Sequence, residues 1–266
     1  MNKKVLIRGG GDLASGVALR LIKTGMDVYI AELPQPLVIR RTVSFAEAVY
    51  EGSWDVEGVT AVHARDVPEA HCFVKKRNIP VLVDPNLEII NEINPDVLVD
   101  ARMLKLPVQY NLNLVGLIIG LGPGFQVGKN CHAFVETKRG HFLGRVFWSG
   151  GAEENSEIPG SVMGIQEQRV LRSPEDGVFN SFVSICDVID IGKPIGQVDN
   201  TVIEAPFSGL IRGLIHDGLI VEKNMKIGDI DPRTDRKYCT YISEKALAIG
   251  GGVLEAILTV EHIPRK

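Results

Sequence analysis

Cysteine is scarce in this sequence: there are four, at positions 72, 131, 186 and 239, and none forms a CxxC pair. Disulfide frameworks and zinc sites need closely spaced cysteines, so buried free thiols are the expectation. Cys131 beside His132 is the one pair with the chemistry of a catalytic thiol. Aromatic residues make up only 6% of the chain, and neither a basic stripe nor an RNA-binding aromatic motif is present. With a formal net charge of -4, broad nucleic-acid binding is excluded. Long apolar runs are missing as well. The longest, Leu112 to Leu121, is broken by Asn113 and by glycine, which argues against a membrane span. Val5 to Ile7 is too short an apolar run for a signal peptide, and a cytoplasmic chain is expected. No catalytic acid–base dyad can be identified, so the catalytic residues are unknown.

What is present is an ordinary globular composition, 45% hydrophobic and 23% charged over 266 residues, long enough for two separate cores. Its organising stretch is VLIRGGGDLASG, Val5 to Gly16, which passes from an apolar strand through a glycine-rich turn into a helix. Gly9, Gly11 and Ala14 fit GxGxxA, and Gly16 adds a close-packing position. Glycines in such a turn let backbone approach a ligand, and the amides and dipole at the helix start favour phosphate. The candidate cofactor-binding residues here are Gly9, Gly10, Gly11, Asp12, Leu13, Ala14, Ser15 and Gly16. Asp12 would repel a pyrophosphate unless a metal or an arginine lay between them. A second strand, Asp27 to Ala31, ends at Glu32, where dinucleotide-binding domains place an acid for the ribose. Glu32 serves equally well as an ion-pair partner of Arg40 or Arg41.

Residues 33 to 41, LPQPLVIRR, read as an ordered loop whose Arg40 and Arg41 suit bidentate contact with a phosphate. Ser44 then caps a short helix. Strands at Val59 to Val62, Ile79 to Val83 and Val97 to Val99 alternate with helices at Pro68 to Arg77 and Pro85 to Ile93. This alternation predicts a Rossmann-like parallel sheet with helices on both faces. Ligands of such sheets sit beyond the carboxyl ends of the strands, which gives Asp84, Asp100, Arg102 and Lys105 a positional claim. A second glycine-rich turn follows Val115 to Gly120, and Gly122 and Gly124 offer backbone amides for an anion nest. The strands CHAFVET and HFLGRVFW flank a hairpin whose tip carries Arg139 and His141.

Beyond a Gly-, Pro- and Ser-rich stretch at 155 to 164, the chain repeats. VLRSPEDGVF at 170 matches VIEAPFSGLI at 202, and three anchors share a period of 32 residues. Short strands in two such units imply a smaller all-β domain resembling the barrel-sandwich of biotinyl and lipoyl domains. Lys226 aligns with Pro194 and lies off the hairpin where a carrier lysine belongs, so no modified lysine is expected. Asp229, Asp231 and Asp235 lack the glycine and terminal Glu of a calcium loop, and no metal is predicted. The closing stretch reads as a helix capped by Ser243, with Gly250 to Gly252 implying close backbone contact or two shorter helices, and ligand contact as a third account. Domains are therefore expected at 1–160 (Rossmann-like, cofactor-binding) and 165–266 (barrel-sandwich-like, with the C-terminal helix).

GGGDLASGVALRL, AELPQPLVIRRTVSFAEAVYEG, GLGPGFQVG, VETKRGHFLGRV, APFSGLIRGLI, KIGDIDPR and KALAIGGGVLEAIL together span nearly the whole chain. In combination they resemble the YqeB family, the accessory proteins of the selenium-dependent molybdenum hydroxylase system, distantly similar to XdhC-type molybdenum cofactor maturation factors. The resemblance implies a maturation role, with a molybdenum hydroxylase apoenzyme as partner, homo-oligomerisation as an option, and no nucleic acid or membrane. The expected ligand is dinucleotide-like, either a molybdopterin cytosine dinucleotide or NAD(P). Two rivals remain: an NAD(P)-dependent oxidoreductase, and a docking protein without retained ligand chemistry.

Overall fold

In the computed structural model, residues 3–104, 108–153 and 161–262 are described. The chain opens with β1 (Lys4–Arg8), α1 (Asp12–Lys23) and β2 (Asp27–Glu32), then passes through two short 3-10 turns to α2 (Ala48–Glu51). Next come β3 (Ser53–Val56), β4 (Val59–Ala64), α3 (Val67–Lys75), β5 (Ile79–Val83), α4 (Ile90–Ile93) and β6 (Val97–Asp100). β7 (Leu117–Leu121), β8 (Ala133–Val135) and β9 (Val146–Phe147) complete the first set of strands. A second set follows: β10 (Val170–Arg172), β11 (Gly177–Ser181), β12 (Val188–Ile189), β13 (Pro194–Val198), β14 (Thr201–Glu204), β15 (Gly209–Leu214), β16 (Ile220–Val221) and β17 (Lys226–Asp231). The helices α5 (Lys237–Thr240) and α6 (Glu244–His262) follow it.

The chain divides into two compact units, one of Met1–Pro36, Ser44–Ser156 and Ile242–Lys266, the other of Leu37–Val43 and Glu157–Tyr241. The first holds a nine-stranded sheet in the order β3-β4-β5-β2-β1-β6-β7-β8-β9. Seven central strands run parallel, whereas β3 pairs antiparallel with β4 and β9 antiparallel with β8. The expected fold class, a Rossmann-like parallel sheet followed by a barrel-sandwich-like domain with a C-terminal helix, is therefore corrected to a mixed α/β fold: a mixed sheet plus two antiparallel sheets. The physical reason lies in two hairpins that extend the sheet at its edges. The β3–β4 hairpin turns through Glu57 and Gly58, both with positive φ (51° and 77°), and Asp55 Oδ1 accepts the Gly58 amide at 3.0 Å. Such a turn normally carries Asn-Gly or Asp-Gly, so Glu-Gly gave no strand signal.

The C-terminal helix belongs to the first unit. α6 is one continuous helix, and its glycines answer to different neighbours. A Cβ on Gly250 would stand 2.6 Å from the Gly16 carbonyl oxygen of α1, one on Gly252 would meet the Gly144 backbone, and Gly251 faces open space. Conversely, a Cβ on Gly16 would stand 2.7 Å from Ala246. Close backbone contact, with α1 at Gly250 and with the turn at Gly144 for Gly252, thus accounts for two of the three glycines, without a break.

In the second unit the sequence repeat becomes a pseudo-symmetry. One four-stranded antiparallel sheet runs β10-β17-β15-β12 and the other β14-β13-β11-β16. Advancing each strand of one sheet by the 32-residue period, or setting it back, gives the strands of the other in the same order. Each sheet therefore takes two strands from each copy. The core between them holds Phe179, Ile195, Ile211, Ile227 and Ile230, each at most 1% exposed.

Candidate functional site

The first strand drives the N-terminal turn. Val5, Leu6 and Ile7 are fully buried between two parallel neighbours, and Gly9 leaves the strand with φ 95°, a conformation L side chains rarely adopt. Its amide donates to the Ala31 carbonyl at 2.8 Å, and a Cβ there would stand 3.3 Å from Arg102 Cγ. Gly10 is covered by protein. Its amide donates to Glu32 Oε2 at 2.6 Å, its carbonyl accepts the Ala46 amide at 2.9 Å, and a Cβ would meet Ala46 N at 2.9 Å. The Ser15 hydroxyl, fully buried, accepts the Phe45 amide at 2.8 Å. Ala14 and Gly16 are buried too. The expectation that a ligand lies along the whole stretch from Gly9 to Gly16 is therefore corrected: at Gly10 and Ser15 the close approach is made by residues 45 and 46 of the chain itself. What reaches solvent is Gly11, Asp12 and Leu13, each half-buried, at the start of α1, whose N-cap Gly11 brings no capping side chain of its own.

Around this start, the carboxyl ends of three strands supply buried acids. Glu32, 8% exposed, accepts Gly10 N with one oxygen and Leu33 N with the other, the latter at 2.8 Å. Burial raises its pKa, outweighing those two amides and the charge of Arg102. Asp84 accepts the Ile89 amide at 3.0 Å. Asp100, 1% exposed, is held by Arg102 through Nε at 3.0 Å and Nη2 at 2.6 Å, and by the Tyr110 hydroxyl at 2.7 Å. Tyr110 in turn accepts Arg8 Nη1 at 2.9 Å, while Arg8 Nη2 donates to the Pro85 carbonyl at 2.7 Å. Burial first, and the charge of Asp100 second, push the Tyr110 hydroxyl up to about 12, so it remains a proton donor at neutral pH. The cluster Arg8, Glu32, Asp100, Arg102 and Tyr110 is thus one hydrogen-bonded and electrostatic network at the carboxyl edge of β1, β2 and β6.

Several sequence candidates lie elsewhere. Arg40 and Arg41 belong to the second unit, where Arg40 pairs with Asp229 at 2.6 Å and Arg41 Nε donates to the Leu214 carbonyl at 2.8 Å. Arg139 pairs with Glu244 at 2.6 Å. Gly122 and Gly124 do have positive φ, but Asn130 ties their loop from within, accepting Gln126 N and donating to the Gly124 and Val108 carbonyls. Lys105 lies outside the described residues. Cys131 is fully buried and burial pushes its thiol up to about 12, so no external substrate reaches it beside His132. Asp229 and Asp231 are engaged by arginines. Among the described residues no group of three His, Cys, Asp or Glu side chains is placed to hold a metal ion, and no helix is long and apolar enough to cross a membrane.

Three members of the carboxyl edge escaped the sequence reading. Arg8 is the last residue of β1 and had the same positional claim as Glu32. Glu136 directly follows β8, is 3% exposed, and accepts the Thr137 and Lys138 amides at 2.7 Å. Tyr110 sits in a loop and carried no signal.

No family model matches the chain. Among solved structures, a succinylglutamate desuccinylase from Silicibacter matches with TM-score 0.26 and 12% identity, covering 86% of this chain and 84% of that one. An aspartoacylase family protein from Mesorhizobium loti matches with TM-score 0.27 and 10% identity (86% and 85% covered). The apo ectoine utilization protein EutE (DoeB) from Ruegeria pomeroyi matches with TM-score 0.27 and 12% identity (86% of each). Likenesses this slight carry no chemistry across. In sequence, the chain is 46% identical over 258 residues to "Uncharacterized protein YqeB" of Escherichia coli (strain K12), covering 97% of this chain. The chain spans about half the length of that relative, 48%, and over that span the identity supports the YqeB family.

Proposed function

We propose that this chain is an accessory factor in the maturation of selenium-dependent molybdenum hydroxylases, and that it holds a phosphorylated, dinucleotide-like cofactor at the start of α1. The maturation role rests on the resemblance of its motifs. The ligand reading rests on one observation: the first turn of α1, Gly11 to Leu13, which begins on a glycine N-cap, is half-exposed while the Arg102 stem packs at Gly9. Helix-start amides and a guanidinium are the two groups that meet a phosphate best. Asp12 stands in the same turn, so the bound phosphate needs the positive charge of Arg102. That residue is one-quarter exposed and already forked onto Asp100, a geometry it can share with an incoming anion. A molybdopterin cytosine dinucleotide fits this chemistry through its pyrophosphate. NAD(P) fits less well, because Glu32 is 8% exposed and holds the Gly10 and Leu33 amides, which leaves little of it open to a ribose.

Titration calorimetry with molybdopterin cytosine dinucleotide, CDP and NAD(P) tests the ligand reading. Binding of the pyrophosphate-bearing cytosine compounds is expected, weakened about 10- to 100-fold in Arg102→Ala by loss of a charged hydrogen bond. Absence of binding to all of them refutes it. The result would then favour a docking protein, a reading supported by the cover that Ala46 places over Gly10. Purification of the hydroxylase from cells lacking this chain tests the maturation role: the enzyme is expected without its cofactor.

A further inference from the structure

Two of the four cysteines, 53 positions apart in sequence, meet in the second unit. Cys186 lies just before β12 and Cys239 within α5. Both converge on one carbonyl: Ile211 O of β15 accepts the Cys186 amide at 2.8 Å and the Cys239 thiol at 3.5 Å. That shared acceptor sets the Cys186 backbone beside the Cys239 thiol. Their environments differ in a way that assigns roles. Cys186 is half-buried and reachable from solvent, whereas Cys239 is 1% exposed. Cys186 also holds φ at 78°, a left-handed conformation rare for a residue with a side chain. The other two cysteines, Cys72 and Cys131, lie in the first unit and serve as internal controls.

We propose that Cys186 and Cys239 form a dithiol site that closes to an intramolecular disulfide by exchange with a small-molecule disulfide such as oxidised glutathione. Cys186, as thiolate, attacks one glutathione sulfur; the S–S bond breaks and the departing glutathione thiolate takes up a proton. Cys239, a buried thiol pushed up to about 12, then attacks the Cys186 sulfur of the mixed disulfide, its proton passing to the second glutathione thiolate as that S–S bond breaks. The two protein thiols give up two electrons and two protons, and one glutathione disulfide becomes two thiols. The accessible sulfur engages the external disulfide and the buried one resolves it, an order set by exposure. The new bond fixes α5, whose Cys239 carbonyl accepts the Thr42 hydroxyl at 2.6 Å and whose Tyr238 carbonyl accepts Arg212 Nε at 3.0 Å.

The test treats the full chain with oxidised glutathione, alkylates remaining thiols, and maps peptides by mass spectrometry. The expected wild-type product carries a 186–239 crosslinked peptide two hydrogens lighter than the two thiol peptides together, beside a glutathione adduct on the exposed Cys72, and dithiothreitol recovers all these thiols. Cys239→Ser is expected to stop at a glutathione adduct on Cys186, and Cys72→Ser and Cys131→Ser to form the 186–239 crosslink as the wild type does. Because the wild-type chain alone reports the crosslink, a variant that misfolds does not decide the matter. A wild-type product that retains glutathione on Cys186, leaves both thiols free, or pairs either with Cys72 overturns the proposal.

Discussion

The contact between α1 and α6 predicts opposite outcomes for chemically identical substitutions. Alanine is favoured over glycine in a helix interior by about 1 kcal/mol. At Gly251, where a Cβ meets nothing within 4 Å, Gly251→Ala should gain most of that amount. At Gly16 the same methyl would stand 2.7 Å from Ala246 backbone atoms, and at Gly250 it would stand 2.6 Å from the Gly16 carbonyl oxygen. Backbone on an opposing helix cannot rotate aside, so the helices must separate, and overpacking of this kind costs about 1–3 kcal/mol. Because the clash is with backbone at 2.6–2.7 Å, the cost belongs in the upper part of that range, about 2–3 kcal/mol, so net of the gain in propensity Gly16→Ala and Gly250→Ala should each destabilise the first unit by about 1–2 kcal/mol. The double variant should cost less than the two together, because the first separation makes room for the second. Both tryptophans, Trp54 and Trp148, lie in the first unit, so tryptophan fluorescence in guanidinium reports that unit selectively. A Gly16→Ala protein as stable as wild type, or a Gly251→Ala protein as damaged as Gly16→Ala, would refute the reasoning.

Further tests address the charged groups. Burial works to raise the Asp231 carboxyl, but Arg233 and Arg169 outweigh it and hold the pKa below the usual carboxylate value. Its stabilising effect is therefore present above that ordinary value and lost as pH falls through the lower folded value. Asp231→Asn should destabilise the second unit by about 3–5 kcal/mol, seen as faster hydrogen exchange in β17 and β10, since buried guanidinium groups lose their counter-charge. Glu32 has the opposite sign. With its folded pKa raised above 4.5, its contribution is full below that ordinary value and falls as pH rises through the folded value. Glu32→Gln should flatten that stretch of the fluorescence-detected stability profile; an unchanged slope would show that another group titrates there. Tyr110→Phe should cost about 1–2 kcal/mol by leaving Asp100 and Arg8 one partner short. In an alkaline absorbance titration it should also remove a phenol that ionises near 12.

Alternation and periodicity located most of the first unit's elements. β2, read as Asp27 to Ala31 with Glu32 at its end, spans Asp27–Glu32, and β5 runs over Ile79–Val83 as read. The β8–β9 edge was read as a hairpin, whereas the β3 edge was illegible because β3 is four residues long, with one residue fully buried, and turns through Glu-Gly. Local sequence also located the glycine turn without revealing what fills it. GxGxxA records that something approaches closely, and at Gly10 that something is Ala46, more than thirty positions downstream. Likewise the three glycines of α6 could not be told apart by sequence, since their difference lies in the facing surfaces of Gly16 and Gly144. The second unit was more legible in its repeat than in its limits. A period of 32 residues exposes symmetry, whereas the membership of Leu37–Val43 depends on long-range pairs such as Arg40 with Asp229.

The groove that α1 offers at Gly16 is filled by Ala246, a residue the ribosome adds some 230 positions later. At about 5–20 residues per second, the nascent helix waits on the order of ten seconds or more with its small-residue face uncovered. Chaperone dependence during synthesis, and proteolytic sensitivity of truncated chains that stop before residue 242, are the cellular signatures to look for.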